Sequence, residues 1–321
     1  MRRCGLVLGG GGVLGAAWSI GALCALEQHV DVDVREFDYI VGTSAGSVLA
    51  ALLGSGLSPD QLRQHQLGAL TDGPLGAIAW DHETSTGGHR PPRPKFGVGS
   101  PKLVAHNVRR LRRLPPTAVL SALVPEGRGS LANVHSLVEA VTPDGGWSAH
   151  PGVWIMAMDY ETGRRVAFGR PGEPVTSLAE AVTASCSIPG WFSPIVIDGH
   201  RFVDGGACSA TSVDVLAGLG LDEVYVVAPM VSPQLDRPPS LLGKLERRWR
   251  IRTTRRCLHE VDKLRSEGAQ VTVLGPTPDD LRAFGANVMD VSRRLLVLDT
   301  SSWTTERTLR RATRDLLADA G

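Results

Sequence analysis

The sequence predicts an α/β domain built on a mostly parallel sheet, and three stretches predict it. Cys4 to Leu8 is a short apolar run that ends in glycine, Val13 to Glu27 carries an apolar pattern in good helix formers, and Phe37 to Val41 is again short, apolar and β-branched. A second helical stretch follows at once. Strand, helix, strand, helix in this order form a βαβα unit, whose crossovers make neighbouring strands parallel. With 321 residues, 42% of them hydrophobic, the chain has ample material for a buried core.

The remaining elements follow in order. Over about residues 81–130 the texture changes to TSTGGHRPPRPKFGVGSPKL and RRLRRLPP, rich in Gly, Pro and Arg, which predicts a lid-like insertion and not core. Regular structure resumes at Val153, where VWIMAMDYETGRRVAFG reads as two strands joined at Glu161–Gly163. Ser177 to Ser187 reads as a helix stopped by Pro189 and Gly190, and PIVIDGHRFVDGG as a hairpin across Asp198–Gly199. EVYVVA (223–228) and QVTVL (270–274) are further strands, on either side of an Arg-rich helix from Leu241 to Glu267. A helical extension over about 277–321 closes the chain, with an amphipathic helix from about Thr304 to Asp319. No fixed-period repeat is present, so residues 1–321 read as one domain.

Composition excludes several classes. A net charge of +1 gives no general draw toward nucleic acid. The five cysteines (Cys4, Cys24, Cys186, Cys208, Cys257) are scattered without a C-x-x-C pair, and no H-x-x-x-H or carboxylate cluster has ligand spacing. Neither a disulfide framework, a metal nor another cofactor is therefore expected. There is no charged leader with an apolar core and no apolar run of about 18 residues. The expectation is a cytoplasmic protein, peripheral at membranes if it meets them; nothing in the sequence sets its oligomeric state.

Two glycine-rich turns carry the chemistry. In LVLGGGGVLGAAW (6–18), Gly10, Gly12 and Gly15 satisfy the G-x-G-x-x-G spacing of a dinucleotide-binding turn. That fingerprint also wants an acidic residue about 20 positions later, at the end of the second strand. Here the strand end is Gly42-Thr43-Ser44-Ala45-Gly46, while Asp31, Asp33, Glu36 and Asp38 all precede or open that strand. G-x-S-x-G between a strand and a helix is the setting of a nucleophile elbow, where a sharp turn lifts the serine hydroxyl clear of the sheet. In a parallel sheet both turns face one crevice, so the N–H groups of Gly10, Gly11 and Gly12 can sit beside Ser44 as an oxyanion hole. A nucleotide-dependent oxidoreductase and a catalytically idle lipid-binding scaffold stay open as alternatives.

A serine nucleophile needs a partner to take its proton. His82, His89 and His106 fall in the insertion, His29, His65, His135, His150 and His200 near loops or turns, and His259 in a charged helical run. None stands at a late strand end, where the Ser, Asp/Glu, His order of α/β-hydrolases would put it. Asp204 in HRFVDGGACSATS follows an apolar strand and precedes Gly205 and Gly206, which leave room for close approach. The competing reading of Asp204 is an ordinary Asp-Gly-Gly turn.

The ordered set GGGVLG, GTSAG and DGG, with ASCSIPGWFSPIVIDGHRFVDGG (Ala184–Gly206) leading into the last, resembles the patatin-like phospholipases, lipid acyl hydrolases that use a Ser–Asp dyad. The resemblance covers roughly residues 4–55 and 150–230. It implies a patatin-like three-layer α/β/α sandwich with a mostly parallel central sheet. It further implies Ser44 as nucleophile, Asp204 as proton acceptor, Gly10, Gly11 and Gly12 as oxyanion hole, and Gly15, Gly42, Gly46, Gly205 and Gly206 as motif positions. A lipid ester of the phospholipase A or lysophospholipase type is the implied substrate, with no cofactor. The family usually has Lys or Arg where Leu14 stands here, which removes a charge but leaves the backbone donors. An aspartate with an ordinary pKa near ~3.9 is a feeble base, so partial desolvation of Asp204 is expected.

Two further features have paired readings. Pro101 to Leu114 (PKLVAHNVRRLRRL) puts Leu103, Val104, Val108, Leu111 and Leu114 near one helical face, with Arg109, Arg110, Arg112 and Arg113 around the rest. Such a helix either contacts an anionic membrane surface or docks on the domain with a solvated basic face. Trp18, Trp191 and Phe192 either line an acyl channel or pack in the core, and Leu309, Leu316 and Leu317 form a core or oligomer stripe.

Overall fold

Each short apolar run becomes a strand of one sheet in the computed structural model, which describes residues 2–319 except 70, 71, 79, 83, 89, 107–113, 143 and 144. The chain begins with β1 (Cys4–Leu8), α1 (Gly12–Val30), β2 (Tyr39–Thr43), α2 (Ala45–Gly54), α3 (Pro59–Leu67) and α4 (Gly73–Gly76). It continues through α5 (Pro101–His106), α6 (Pro116–Leu123), α7 (Ala132–Val141), β3 (Val153–Asp159), β4 (Arg165–Phe168), α8 (Leu178–Cys186), β5 (Ile195–Ile197) and β6 (His200–Asp204). The last elements are β7 (Glu223–Val227), α9 (Leu241–Ser266), β8 (Gln270–Leu274), α10 (Pro278–Phe284) and α11 (Arg294–Asp319). Strand order is β5-β6-β3-β2-β1-β7-β8, with β4 also paired to β3. The β3–β2, β2–β1, β1–β7 and β7–β8 pairs are parallel, and β3–β4, β3–β6 and β5–β6 are antiparallel. In the β5–β6 hairpin Asp198 and Gly199 both have positive φ, as a two-residue type I′ turn requires.

Strand alternation divides the core into two layers. Leu6, Leu8, Ile40, Ile155 and Ala157 join the helical layer that contains α1, α2, α7, α8 and α11. Val7, Val41, Trp154, Met156, Val224 and Val226 face the opposite way, against Cys257, Val261 and Leu264 of α9. The result is the expected three-layer α/β/α sandwich. Because α1 is covered on both sides, it is apolar around its circumference, and Trp18 is packing, not a channel wall.

Two sequence expectations change, and a third falls largely outside the described residues. The last helix starts at Arg294, well before Thr304, because RLLVLDTSSW lies along α1 with Val297, Leu298 and Ser301 buried. A Cβ on Gly21 would stand 2.0 Å from Ser301 Oγ, so the two helices meet at near-backbone distance. Hydroxyls at that seam, satisfied by bonds such as Ser301 to the Leu298 carbonyl and Thr304 to Asp280, conceal the apolar period. The insertion is also better packed than a bare lid, since Leu103, Ala118 and Ala122 share a buried cluster with Met158, Tyr160 and Val203. Finally, the Pro101–Leu114 helix is seen only through His106; Val108, Arg109, Arg110, Leu111, Arg112, Arg113 and His89 lie outside the described residues, as do the side chains of Leu316 and Leu317. No helix among the described residues is long and apolar enough to cross a membrane.

Candidate active site

Ser44 sits between the end of β2 and the start of α2 with φ 53° and ψ −125°. A non-glycine residue in that region is strained, at a cost of order ~1–3 kcal/mol, and persists only where its surroundings over-determine it. The surroundings are crowded backbone: a Cβ on Gly46 would stand 2.1 Å from the Leu8 carbonyl oxygen, and one on Gly42 would stand 2.5 Å from the Gly46 carbonyl oxygen. Gly46→Ala is therefore expected to destabilise the protein by about 3 kcal/mol or more, because strand backbone cannot swing aside as a side chain can. A urea melt measures it, and an unchanged midpoint would contradict the close packing of α2 on β1.

The strand register brings the serine to the aspartate. Thr43, the last residue of β2, pairs with Met156, and Asp204, the last residue of β6, pairs with Ala157. The ends of a parallel and an antiparallel neighbour thus arrive at consecutive positions of β3. The end of α8 then ties both strand ends down. Ser185 Oγ accepts from the Ser44 N–H at 2.8 Å and donates to the Met156 carbonyl at 2.6 Å. Cys186 Sγ lies 3.3 Å from the Ser44 carbonyl, and the Ser187 carbonyl accepts from the Asp204 N–H at 3.0 Å. The stretch ASCSIP was visible as part of the family resemblance, but no spacing rule marks its backbone-bridging role.

Asp204 is buried, and Gly206 donates its N–H to Oδ1 at 2.7 Å. Burial pushes its pKa up to about 6, against the pull of the Ser44 hydroxyl and the Gly206 N–H, which both favour the charged form. The expected desolvation of this carboxyl is therefore present. His65 and His82 line the neighbouring cavity, but neither makes a hydrogen bond to Ser44 among the described residues. His82 instead accepts from Trp80 Nε1 at 3.1 Å, and burial lowers its pKa to about 4.

The glycine turn lies against the serine: a Cβ on Gly10 would stand 3.0 Å from Ser44 Cβ. Its three N–H groups are not equivalent. That of Gly10 donates to the Ala210 carbonyl at 2.9 Å, so it is not available to an oxyanion, which departs from the expectation for this residue. Those of Gly11 and Gly12 have no acceptor among the described residues and open the N-terminus of α1, where negative charge is favoured. Gly15 donates to the Gly11 carbonyl and closes the turn. Leu14 is buried in the core with its N–H on the Val288 carbonyl, so the position that is basic in the family serves packing here.

From Ser44 an apolar cavity of about 120 Å³ extends between α1 and α2, walled by Val13, Ala16, Ile20, Val48, Leu49 and Leu52. Those α2 positions recur at helical spacing from Ala45, so the wall continues for two turns, roughly 10 Å, below the serine. Leu62, Leu131, Val134, Leu137 and Phe192 extend it, and the polar side chains of His65, Gln66, His82 and Thr86 also line it; Trp191 stands outside and stacks on Phe192.

A family model described as patatin-like phospholipase matches residues 6–217 of the chain. Among solved structures, the chain is similar to VipD from Legionella pneumophila, with 13% identity and a TM-score of 0.37 over 94% of this chain and 67% of that one. It is also similar to the type III effector protein ExoU, with 18% identity and a TM-score of 0.36 over 97% of this chain and 53% of that one. The chain thus spans only part of the length of either protein.

Proposed function

The chain belongs to the patatin-like phospholipase family, whose members are lipid ester hydrolases, and from that premise we propose that it is a serine acyl hydrolase acting through Ser44 and Asp204. Asp204 takes the Ser44 proton as the oxygen attacks the ester carbonyl, and the charge that develops on the carbonyl oxygen rests on the Gly11 and Gly12 N–H groups. The protonated Asp204 then gives its proton to the departing alcohol, leaving an acyl-enzyme. Water, deprotonated by the same carboxylate, releases the acid and restores Ser44. The substrate is a lipid ester of the phospholipase A or lysophospholipase type, with its acyl chain in the cavity between α1 and α2.

The observation that carries this reading is the meeting of three things at one point: a strained serine, a buried carboxylate with a raised pKa, and the mouth of an apolar cavity. A nucleotide-dependent oxidoreductase has less support, since the strand end that would hold a ribose carboxylate holds Ser44. The deciding experiment treats folded protein with a fluorophosphonate probe and runs a panel of phospholipid, lysophospholipid, glyceride and short soluble esters. Labelling at Ser44 with turnover of a lipid ester is expected; no labelling and no turnover would leave the idle scaffold.

The pH dependence follows from Asp204. Only the carboxylate accepts a proton, so kcat/KM on a soluble ester should fall about tenfold per unit below pH 6 and level off above it. A flat profile from acid to neutral pH would remove Asp204 from the role of base.

A further inference from the structure

The outer face of α9 combines exposed apolar side chains with basic ones that are unpaired among the described residues. Leu241, Leu242, Leu245 and Trp249 are 73%, 71%, 51% and 40% exposed, all within the first turns of the helix. Four large apolar side chains so close together on a surface mark a contact with something. The basic residues of the same helix sort by side. The inner Arg247 and Arg250 are buried and neutralised by Asp236 and Glu246. The outer Lys244, Arg248, Arg252 and Arg255 are exposed and have no acidic partner among the described residues. At 100° per residue, Leu241, Leu245, Arg248, Arg252 and Arg255 fall on one stripe, with Leu242 and Trp249 about 80–100° to one side, so the apolar end is broader than the cationic part.

That apolar end stands at the catalytic edge of the sheet. β7 runs parallel to β1 and β2, so Ala228 and Pro229 leave the sheet at the same edge as the glycine turn and Ser44. Pro229 packs where a Cβ on Gly11 would be, and its carbonyl accepts from Arg250 Nη1 of α9. The third turn of α9 is thus bonded to the loop behind the glycine turn.

We infer that the α9 stripe from Leu241 to Arg255 seats the protein on an anionic bilayer, with Leu241, Leu242, Leu245 and Trp249 entering the acyl boundary and the outer basic residues meeting lipid phosphates. An amphipathic helix with apolar and cationic groups on one side binds such a surface by the sum of both terms. This stripe is separate from the segment 101–114, for which membrane contact is one of two readings and most of which lies outside the described residues. The inference goes beyond the hydrolase reading, since adsorption needs no turnover.

The test uses Ser44→Ala protein and vesicles of phosphatidylcholine alone or with about one third phosphatidylglycerol, read by co-sedimentation. Binding to the anionic vesicles only is expected, weakening steeply between about 0.1 M and about 0.5 M NaCl. Leu241→Ser/Leu245→Ser and Arg248→Gln/Arg252→Gln/Arg255→Gln, each added to that protein, should cut the bound fraction about tenfold or more. The apolar pair leaves charge unchanged, so it separates insertion from general attraction. With Ser44 intact, both sets should leave hydrolysis of a short soluble ester unchanged. Equal binding to both vesicles, or either variant binding like its parent, overturns the inference. So does a stable dimer in light scattering that Leu241→Ser/Leu245→Ser dissolves, because α9 would then cover a second copy. Should Ser44 prove inert toward esters, the vesicle result still stands.

Discussion

Ser44→Ala is expected to lower lipid-ester hydrolysis by about 10⁴-fold or more, leaving only what the oxyanion donors and binding contribute. The fold should lose little beyond the hydroxyl's hydrogen bond to Asp204. The Ser44 N–H bond to Ser185 and the carbonyl contacts with Ser47 and Cys186 are made by backbone atoms and survive the change. The φ of 53° is equally strained for Ala and Ser, since both carry a Cβ. Activity and stability should therefore separate cleanly: hydrolysis lost, thermal midpoint essentially kept. A variant that retains a tenth of the wild-type rate would exclude Ser44 as the nucleophile, and one that unfolds would show that the hydroxyl is structural.

Asp204→Asn should move activity and stability in opposite directions. Asn cannot accept the serine proton, so hydrolysis should fall by about 10³-fold or more. The carboxyl's folded-state pKa is about 6 against an ordinary 3.8. For an acid raised in this way the native state binds more protons than the unfolded one between those values, so stability is fully present below pH 4 and is lost as pH rises through 6. Two units correspond to about 3 kcal/mol of destabilisation at neutral pH. Asn is neutral and can still accept from the Gly206 N–H, so the variant should be more stable than wild type by up to that amount at pH 7.5, and no more stable at pH 4. Paired urea melts at the two pH values check it. A variant equally or less stable at pH 7.5 would contradict a desolvated, ionised Asp204.

Ser44, Asp204 and the glycine turn were legible because each leaves a local mark: a strand that runs into small residues, then a polar group, then a helix or another glycine. Such marks reflect backbone sterics within a few residues. What depends on contacts beyond local spacing leaves no such mark. Gly10, Gly11 and Gly12 are indistinguishable by spacing, yet only Gly10 is bonded to the Ala210 carbonyl, from a distant part of the chain. Ser185 is an unremarkable helical serine in sequence, yet it bridges β2 and β3 beneath the nucleophile. The start of α11 is not legible in sequence because its contact with α1 depends on Gly21 and on hydroxyls, which the hydrophobic period does not register.

By itself, the sequence determined the main strands and helices of an α/β domain and the candidate positions Ser44, Asp204 and the glycine turn, since periodicity and small-residue spacing are local consequences of chain geometry; the three-layer class came through the family resemblance. Only the tertiary structure decided which glycine N–H groups have no acceptor among the described residues, how far burial raises the pKa of Asp204, and that the start of α9 stands at the sheet edge where Ser44 lies. Those properties depend on which distant atoms approach and which water is excluded, and neither is encoded in spacing along the chain.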